Sequence, residues 1–565
     1  MREILDDAIL NSSSGKLQYV PQGFHPRLDG RVVRPAALLK RTLIFVHRWI
    51  GVALSVIFLL WFASGIVMMY WSFPGVTAEQ RLERLPVLNP DQIKVSPGAA
   101  RAALGTDAPA GQPHLTSFDN RPAYRFGGRG GSAMVYADTG TVVDLVDEAT
   151  VDRAAVAWAQ RPLTDAKKST VEEVDQWTVG MRNALPLQKY SFADGQQVYI
   201  DADTAEIRQY TTTSSRVWAY LGAIPHWLYF TPLRKHQPEW FKFVVWSSLI
   251  GTITALIGIV VAIWMLSPSK RYRYAGAPTS IPYRGWKRWH TIIGLCFGVI
   301  TLTWAFSGLL SMGPFPIMDK LTALTVPTPP APEGGTAARG GGRGGRRGGP
   351  NLAAALRGRV NGELSAYEER DPNEAIASIR DFGVKELELT SFASEPIYLA
   401  TNGNGDTRIV PVRGPPKASF ETEEVMRIVR EAAGQNLADL RLMNTYDAYY
   451  LDRLHESPLP VVYAELNDPV RTRYYIDPKT ARIVGNYNAR NWVSRWLYHG
   501  LHSLDFPWLY NYRPLWDIVV ITLMLGGTAI CVTSLVLTWR VLARKLNALV
   551  RAHFKTPDED LVHEI

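Results

Sequence analysis

Four apolar stretches interrupt an otherwise polar chain of 565 residues. They run over 41–71, 239–266, 288–313 and 514–540. At 1.5 Å rise per residue each is long enough to cross about 30 Å of hydrocarbon as a helix. Two long segments, 72–238 and 314–513, separate span one from span two and span three from span four; a short loop, 267–287, joins the middle pair, and tails 1–40 and 541–565 flank the whole. Inside the long segments the pattern changes. SPGAARAAL from 96, DRAAVAWA from 152 and TEEVMRIVREAAG from 422 carry apolar residues at helical spacing, whereas MVYADTGTVVDLV from 134, QVYIDADTAEIRQY from 197 and RYYIDPKTARIVGNY from 473 alternate as strand, tight turn, strand. The Asp and Thr flanking each turn predict a carboxylate bonded to the turn backbone, a structural role. The pattern therefore predicts an integral, α-helical membrane protein with two sizeable α+β segments outside the bilayer.

The spans repeat. HRWIGVALSVIFLLWFASG from His47 and HTIIGLCFGVITLTWAFSG from His290 share His47/His290, Gly51/Gly294, Trp61/Trp304, Ser64/Ser307 and Gly65/Gly308 at one constant offset. A second, larger offset aligns Tyr199-Ile200-Asp201 with Tyr475-Ile476-Asp477 and continues through His226/His502, Trp240/Trp516 and Gly251/Gly527. The chain thus reads as two pseudo-symmetric halves. Because each half starts on one side, crosses and returns, the halves are parallel repeats about an axis along the membrane normal. The difference between the offsets is an insertion in the second long segment, much of it the Gly/Arg-rich run 333–350, whose composition builds no core and reads as a linker.

Charge sets the orientation. Lys40, Arg41 and Arg48 flank the start of span one, Lys270, Arg271, Arg273, Arg284, Lys287 and Arg288 crowd the short loop, and Arg540, Arg544, Lys545 and Arg551 follow span four. The positive-inside bias then places both termini in the cytoplasm and both long segments on the far side, the periplasm of a Gram-negative cell. The net charge of +9 is largely topological and carries no nucleic-acid reading. A polar stretch precedes the first apolar run, which is too long for a signal peptide's core, so span one reads as a retained anchor. The two cysteines, Cys296 and Cys531, fall inside spans and frame no disulfide scaffold; no Cys-x-x-Cys-His is present for covalent haem.

Ionisable residues in a membrane segment are costly and read by default as functional, with a partner to name. A lone histidine beside Arg or Trp at a membrane boundary is often only an interfacial anchor, but retention of the same histidine in two diverged halves weighs against that. His47 and His290 sit at the cytoplasmic level, His226 and His502 at the outer level, and His499, one helical turn before His502, has Ala223 as its counterpart. Two levels of paired histidines result, with His226 opposite either His502 or His499.

The H-x-x-I-G spans, the YID hairpins and RWLYHGLHSLDF from 495 resemble the PepSY-associated transmembrane family, over about Lys40 to Arg544. That family includes iron-regulated inner-membrane proteins and haem-containing ferrisiderophore reductases. The resemblance implies PepSY-like periplasmic segments and a periplasm-facing reductase fed by haem in the bilayer. The residues fit haem chemistry: a b-type site needs two neutral imidazoles, an apolar aromatic-lined gap and basic groups near the propionates. One or two haem b groups are expected. His47 and His290 would hold an inner haem, with Arg48 and Arg288 at its aqueous edge; His226 with His502 or His499 would hold an outer one, with Arg495 available to a propionate.

The expected reaction moves electrons from a quinol or a cytoplasmic reductase to a periplasmic acceptor such as a ferric siderophore, whose hard oxygen ligands hold Fe(II) far less well than Fe(III). Tyr446, Tyr449 and Tyr450 are candidates for an acceptor surface, although packing as strand residues explains them more simply. A haem-free binding or scaffold protein for a peptide, protease or metal complex is one alternative, and a siderophore permease another. The spans carry few polar residues to line a permeation path. The run from Gly340 satisfies G-x-G-x-x-G, yet no strand precedes it and no helix follows directly, so it is no dinucleotide site.

Overall fold

The computed structural model describes residues 35–105, 113–128, 131–143, 146–313, 351–358, 363–452, 456–492 and 494–553. The linker expected at 333–350, most of the amino-terminal tail and the end of the carboxy-terminal tail lie outside them. The chain divides into two compact units, a helical one within 1–73, 217–315 and 496–565 and a second one within 74–216 and 316–495.

The helical unit contains the four spans, Pro35–Met68, Gln237–Met265, Gly285–Ser311 and Leu515–His553. Each exceeds the roughly 20 residues that a bilayer core requires, and each keeps a strongly apolar window. Every span packs mainly against two others, in the order one, two, three, four and back to one, so that spans one and three stand on a diagonal. The outward surfaces carry large apolar side chains such as Val56, Trp246, Ile263 and Val299, as a lipid-facing surface requires. Between the helices close approach depends on glycine: a Cβ at Gly527 would lie 2.3 Å from the Phe62 ring. The interior hydroxyls are spent on their own helices, Thr254 on the Ile250 carbonyl, Thr301 on Phe297 and Thr528 on Met524. Two short helices complete this unit: Ala223–Trp227 packs on span one and Leu501–Ser503 on span three. Both end on a leucine in the left-handed region, Leu228 and Leu504. Trp240 Nε1 donates to the Trp227 carbonyl, and its counterpart in the second half, Trp516 Nε1, donates to the equivalent carbonyl of Ser503. A small hairpin, β8 (Tyr272–Tyr274) and β9 (Ala277–Thr279), occupies the loop between spans two and three.

The remaining strands of the described residues lie in the second unit. The first long segment contributes β1 (His114–Phe118), β2 (Arg121–Gly128), β3 (Gly131–Tyr136), β4 (Ala166–Val171), β5 (Leu187–Phe192), β6 (Gln197–Asp201) and β7 (Ile207–Thr211). The second contributes β10 (Glu386–Phe392), β11 (Glu395–Thr401), β12 (Thr407–Pro411), β13 (Leu437–Met443), β14 (Val461–Leu466), β15 (Arg473–Asp477) and β16 (Arg482–Tyr487). The segments do not stay apart. β1 pairs antiparallel with β10, Leu115 opposite Leu387, and this joins them into one six-stranded sheet ordered β12-β11-β10-β1-β2-β3. Each segment keeps a four-stranded meander of its own, β4 to β7 and β13 to β16.

Local chemistry explains the pieces. Helix Glu148–Ala159 starts at Asp147, whose side chain accepts from the Thr150 amide, and buries Val151, Ala155 and Trp158 at helical spacing. Helix Thr422–Ala433 likewise buries Val425, Ile428 and Val429. Asp201 accepts the amides of Asp203 and Thr204, and Asp477 accepts the Lys479 amide and the Thr480 hydroxyl. These are the structural aspartates the hairpin motif predicts. Asp138, in the same sequence context, is instead held by the Arg121 guanidinium, which keeps its carboxyl below the usual range.

Leu115 and Leu387 are both fully buried where the two segments join. Leu387→Ala is expected to lower unfolding stability by about 2–5 kcal/mol, since the removed atoms leave a cavity at a junction that cannot collapse freely. Chemical denaturation followed by far-ultraviolet circular dichroism measures it.

Candidate functional site

His47 lies on span one and His290 on span three, and the diagonal placement of these helices brings the two imidazoles together, tilted by 41°, with ring centroids 6.3 Å apart. His226, in the short helix on span one, meets His502, in the short helix on span three, with centroids 6.1 Å apart. With metal–imidazole bonds of about 2.0 Å and each centroid about 1.1 Å behind its nitrogen, two imidazoles sharing one metal atom stand about 6 Å apart. Both pairs have that spacing.

Hydrogen bonds fix which nitrogen is free. His47 Nδ1 is 3.1 Å from the Thr254 carbonyl oxygen, and His226 Nδ1 is 3.1 Å from that of Trp61. A carbonyl only accepts, so both Nδ1 atoms carry the proton. His290 Nδ1 faces Thr533 Oγ1 at 3.0 Å and His502 Nδ1 faces Ser307 Oγ at 3.0 Å. These hydroxyls already donate to backbone carbonyls, Thr533 to Ile530 and Ser307 to Trp304, so here too the ring nitrogen donates. Ser64, the first-half counterpart of Ser307, makes the equivalent contact with His226 at 3.2 Å while donating to Leu60. All four rings therefore present an unprotonated Nε2, the form in which imidazole binds metal.

His47 and His290 line a cavity of about 770 Å³ together with Gly51, Gly258, Gly294 and Gly298. Such a volume falls in the range of cofactor and ligand sites. Glycine is required at 258, where a Cβ would stand 2.6 Å from His47 Cε1. Arg48 lines the cavity as its position predicts, but Arg288 turns away, donating to Thr279 Oγ1 at 3.0 Å and lying over the Tyr274 ring. Arg284, Lys287, Arg540 and Arg544 line the cavity and supply cations there. Among the described residues no group of three or more His, Cys, Asp or Glu converges on a metal position.

The other predicted residues fall as follows. His499 sits in a π-helical turn, Ser494–Gly500, against the Tyr498 ring at 4.7 Å; the ring His226 meets is that of His502. Arg495 is buried and donates from Nε to the Ala448 carbonyl. Tyr446, Tyr449 and Tyr450 lie in the loop between β13 and β14 rather than in a strand. Tyr450 stacks on Tyr475 at 4.7 Å, and burial pushes its hydroxyl up to about 12, so it stays protonated. Sequence reasoning assigned no role to Ser64, Ser307, Thr254, Thr533 or Gly258. The first two carried a signal, since they recur at the offset of the histidine repeat.

Comparison with protein families matches residues 44–371, more than half of the chain, to the PepSY-associated TM region. The match holds most of span one and all of spans two and three, with His47, His226 and His290, and ends before His502. Comparison with curated proteins matches none.

Histidine-selective nitrogen NMR of cofactor-free protein is expected to find four rings protonated at Nδ1 and bare at Nε2. The count should fall by one in His47→Ala and stay at four in His236→Ala; four rings protonated at Nε2 would contradict the assignment.

Proposed function

The chain belongs to the PepSY-associated transmembrane family, and from that premise we propose that it is a b-type haem protein of the bacterial inner membrane that passes electrons to an acceptor in the periplasm. The observation that carries the reading is the pair of imidazole pairs, each at the spacing of two ligands on one metal and each with Nε2 left free. Haem held between such imidazoles supplies reversible one-electron chemistry without a protonation step. His47 and His290 would hold the haem at one level, His226 and His502 that at the other. The Nδ1–H donations orient each ring and raise its basicity. Gly258 makes room beside the His47 ring, and Arg48, Arg284 and Lys287 offer cations to propionates.

The histidine that opens each repeat and the serine that meets the second pair keep the same separation in both halves, His47 to Ser64 and His290 to Ser307. At 1.5 Å rise per residue that separation sets the two levels about 25 Å apart along the spans, close to the thickness of the bilayer core. The repeated serine, tryptophan and leucine contacts support two parallel pseudo-symmetric halves. The basic residues of the tails and the short loop support cytoplasmic termini and periplasmic placement of both long segments. In the proposed reaction one electron from a quinol or a cytoplasmic reductase reduces Fe(III) of a siderophore complex, and Fe(II) leaves because hard oxygen donors hold it weakly. Hydroxyls spent on their own helices favour this over a permease, which needs polar groups facing a path.

The pairing of His226 with His502 generates a test. In vesicles loaded with a reduced quinone analogue, His502→Ala is expected to abolish reduction of an external ferric hydroxamate, whereas His499→Ala retains at least half of the wild-type rate. Equal loss in both, or retention in His502→Ala, would contradict the assignment.

A further inference from the structure

A second cavity, of about 690 Å³, belongs to the extramembrane unit. Its floor is the sheet face at the junction of β1 and β10. Strand alternation sends Leu115 into the core on one side and Thr116 to the other, between Ala123 on β2 and Glu386 on β10. Helix Glu148–Ala159 forms a wall with Arg153 and Trp158, and helix Ala78–Arg84 adds Arg81 and Arg84. The space is thus a slot between a sheet and a helix, a shape that admits a flat group.

Its polar lining is incompletely matched. Thr116 Oγ1, Arg125 Nε and Trp158 Nε1 are buried and find no hydrogen-bond partner among the described residues; Thr116 is 4 % and Trp158 7 % exposed, while the Arg125 side chain is 31 % exposed with its Nε covered. Buried polar atoms are normally paired, so three on one cavity point to a ligand. Two of the three are N–H groups that can only donate, which asks the ligand for acceptor oxygens.

Charge decides the sign. Five guanidiniums line the cavity against four carboxylates. Arg81 pairs with Glu386, Arg482 with Glu388, Arg153 with Asp119 and Arg125 with Glu206. Arg84 is the surplus cation: it bonds the Trp158 and Gln80 carbonyls and the exposed Glu83, which is not part of the lining, and lies over the Trp158 ring. Burial holds His114 below its usual range against the pull of Glu386, so it adds no positive charge at neutral pH. Phe118, Ile207 and Leu399 make the remaining wall apolar.

We propose that this cavity is a binding site for a small organic carboxylate with a planar apolar body. The carboxylate accepts from Arg125 Nε and the Thr116 hydroxyl, and the ring lies in the slot beside Trp158. The site draws on both long segments, so its occupant bridges the two halves of the six-stranded sheet.

Isothermal titration of the full-length protein in detergent with benzoate, against a micelle blank, tests the proposal. Benzoate is expected to bind once per chain, and its neutral isostere benzamide about tenfold more weakly. Thr116→Val and Arg125→Gln each remove one charge-assisted hydrogen bond and should weaken benzoate about tenfold. Thr116→Ser keeps the hydroxyl and should keep the affinity, which separates loss of the contact from loss of the fold; Trp158→Phe serves as a further donor deletion. No benzoate binding to the wild-type chain, equal affinity for benzamide, or unchanged affinity in both Thr116→Val and Arg125→Gln would overturn it. The cavity uses none of the four paired histidines, so its fate is independent of the haem reading.

Discussion

Four hydrogen bonds from histidine Nδ1 tie the helical unit together at two levels. An imidazole inside a bundle this apolar is expensive unless its N–H is satisfied, and here each N–H meets a carbonyl or a hydroxyl that has no proton left to offer. The acceptors come from spans one to four, so the contacts also fix where the spans can stand. Once Nδ1 is committed, Nε2 is the chemically available atom of each ring. Stability and candidate chemistry therefore rest on the same bonds.

The glycines follow from this constraint. His47 can keep its contact with Thr254 because span two carries Gly258 beside its Cε1. Phe62 can reach the interior, where it meets Trp304 at 5.6 Å, because span four carries Gly527. Small residues in membrane helices admit close backbone approach, and here they admit rings as well. The imidazole pairs at two levels and the interior hydroxyls bonded within their own helices are the features on which the proposed redox reading rests.

Much of the helical unit was legible in the sequence because its signals are local or duplicated. Span lengths follow from apolar runs, and the pairs His47/His290 and His226/His502 follow from a histidine recurring at a fixed offset. Spacing could not choose between His499 and His502; in the structure the His226 ring stands 6.1 Å from that of His502, which is why the proposed pairing uses His502. Arg288 stands in the first turn of span three, where the β8–β9 hairpin offers it Thr279 and Tyr274, and Arg284 and Lys287 line the cavity instead. The β1–β10 pairing lies beyond such reasoning, since two membrane spans intervene between the strands and neither strand names its partner. The second cavity was hidden for the same reason: its lining comes from several separate stretches of chain, each unremarkable alone.

The most direct test of the account is the haem content of the purified wild-type chain, counted by pyridine haemochrome and examined by electron paramagnetic resonance in the oxidised state. The account predicts two non-covalent haem b groups per chain, both low-spin with two imidazole ligands. A chain that remains colourless after expression with sufficient haem and after reconstitution, or one whose haem is high-spin and five-coordinate, would contradict it.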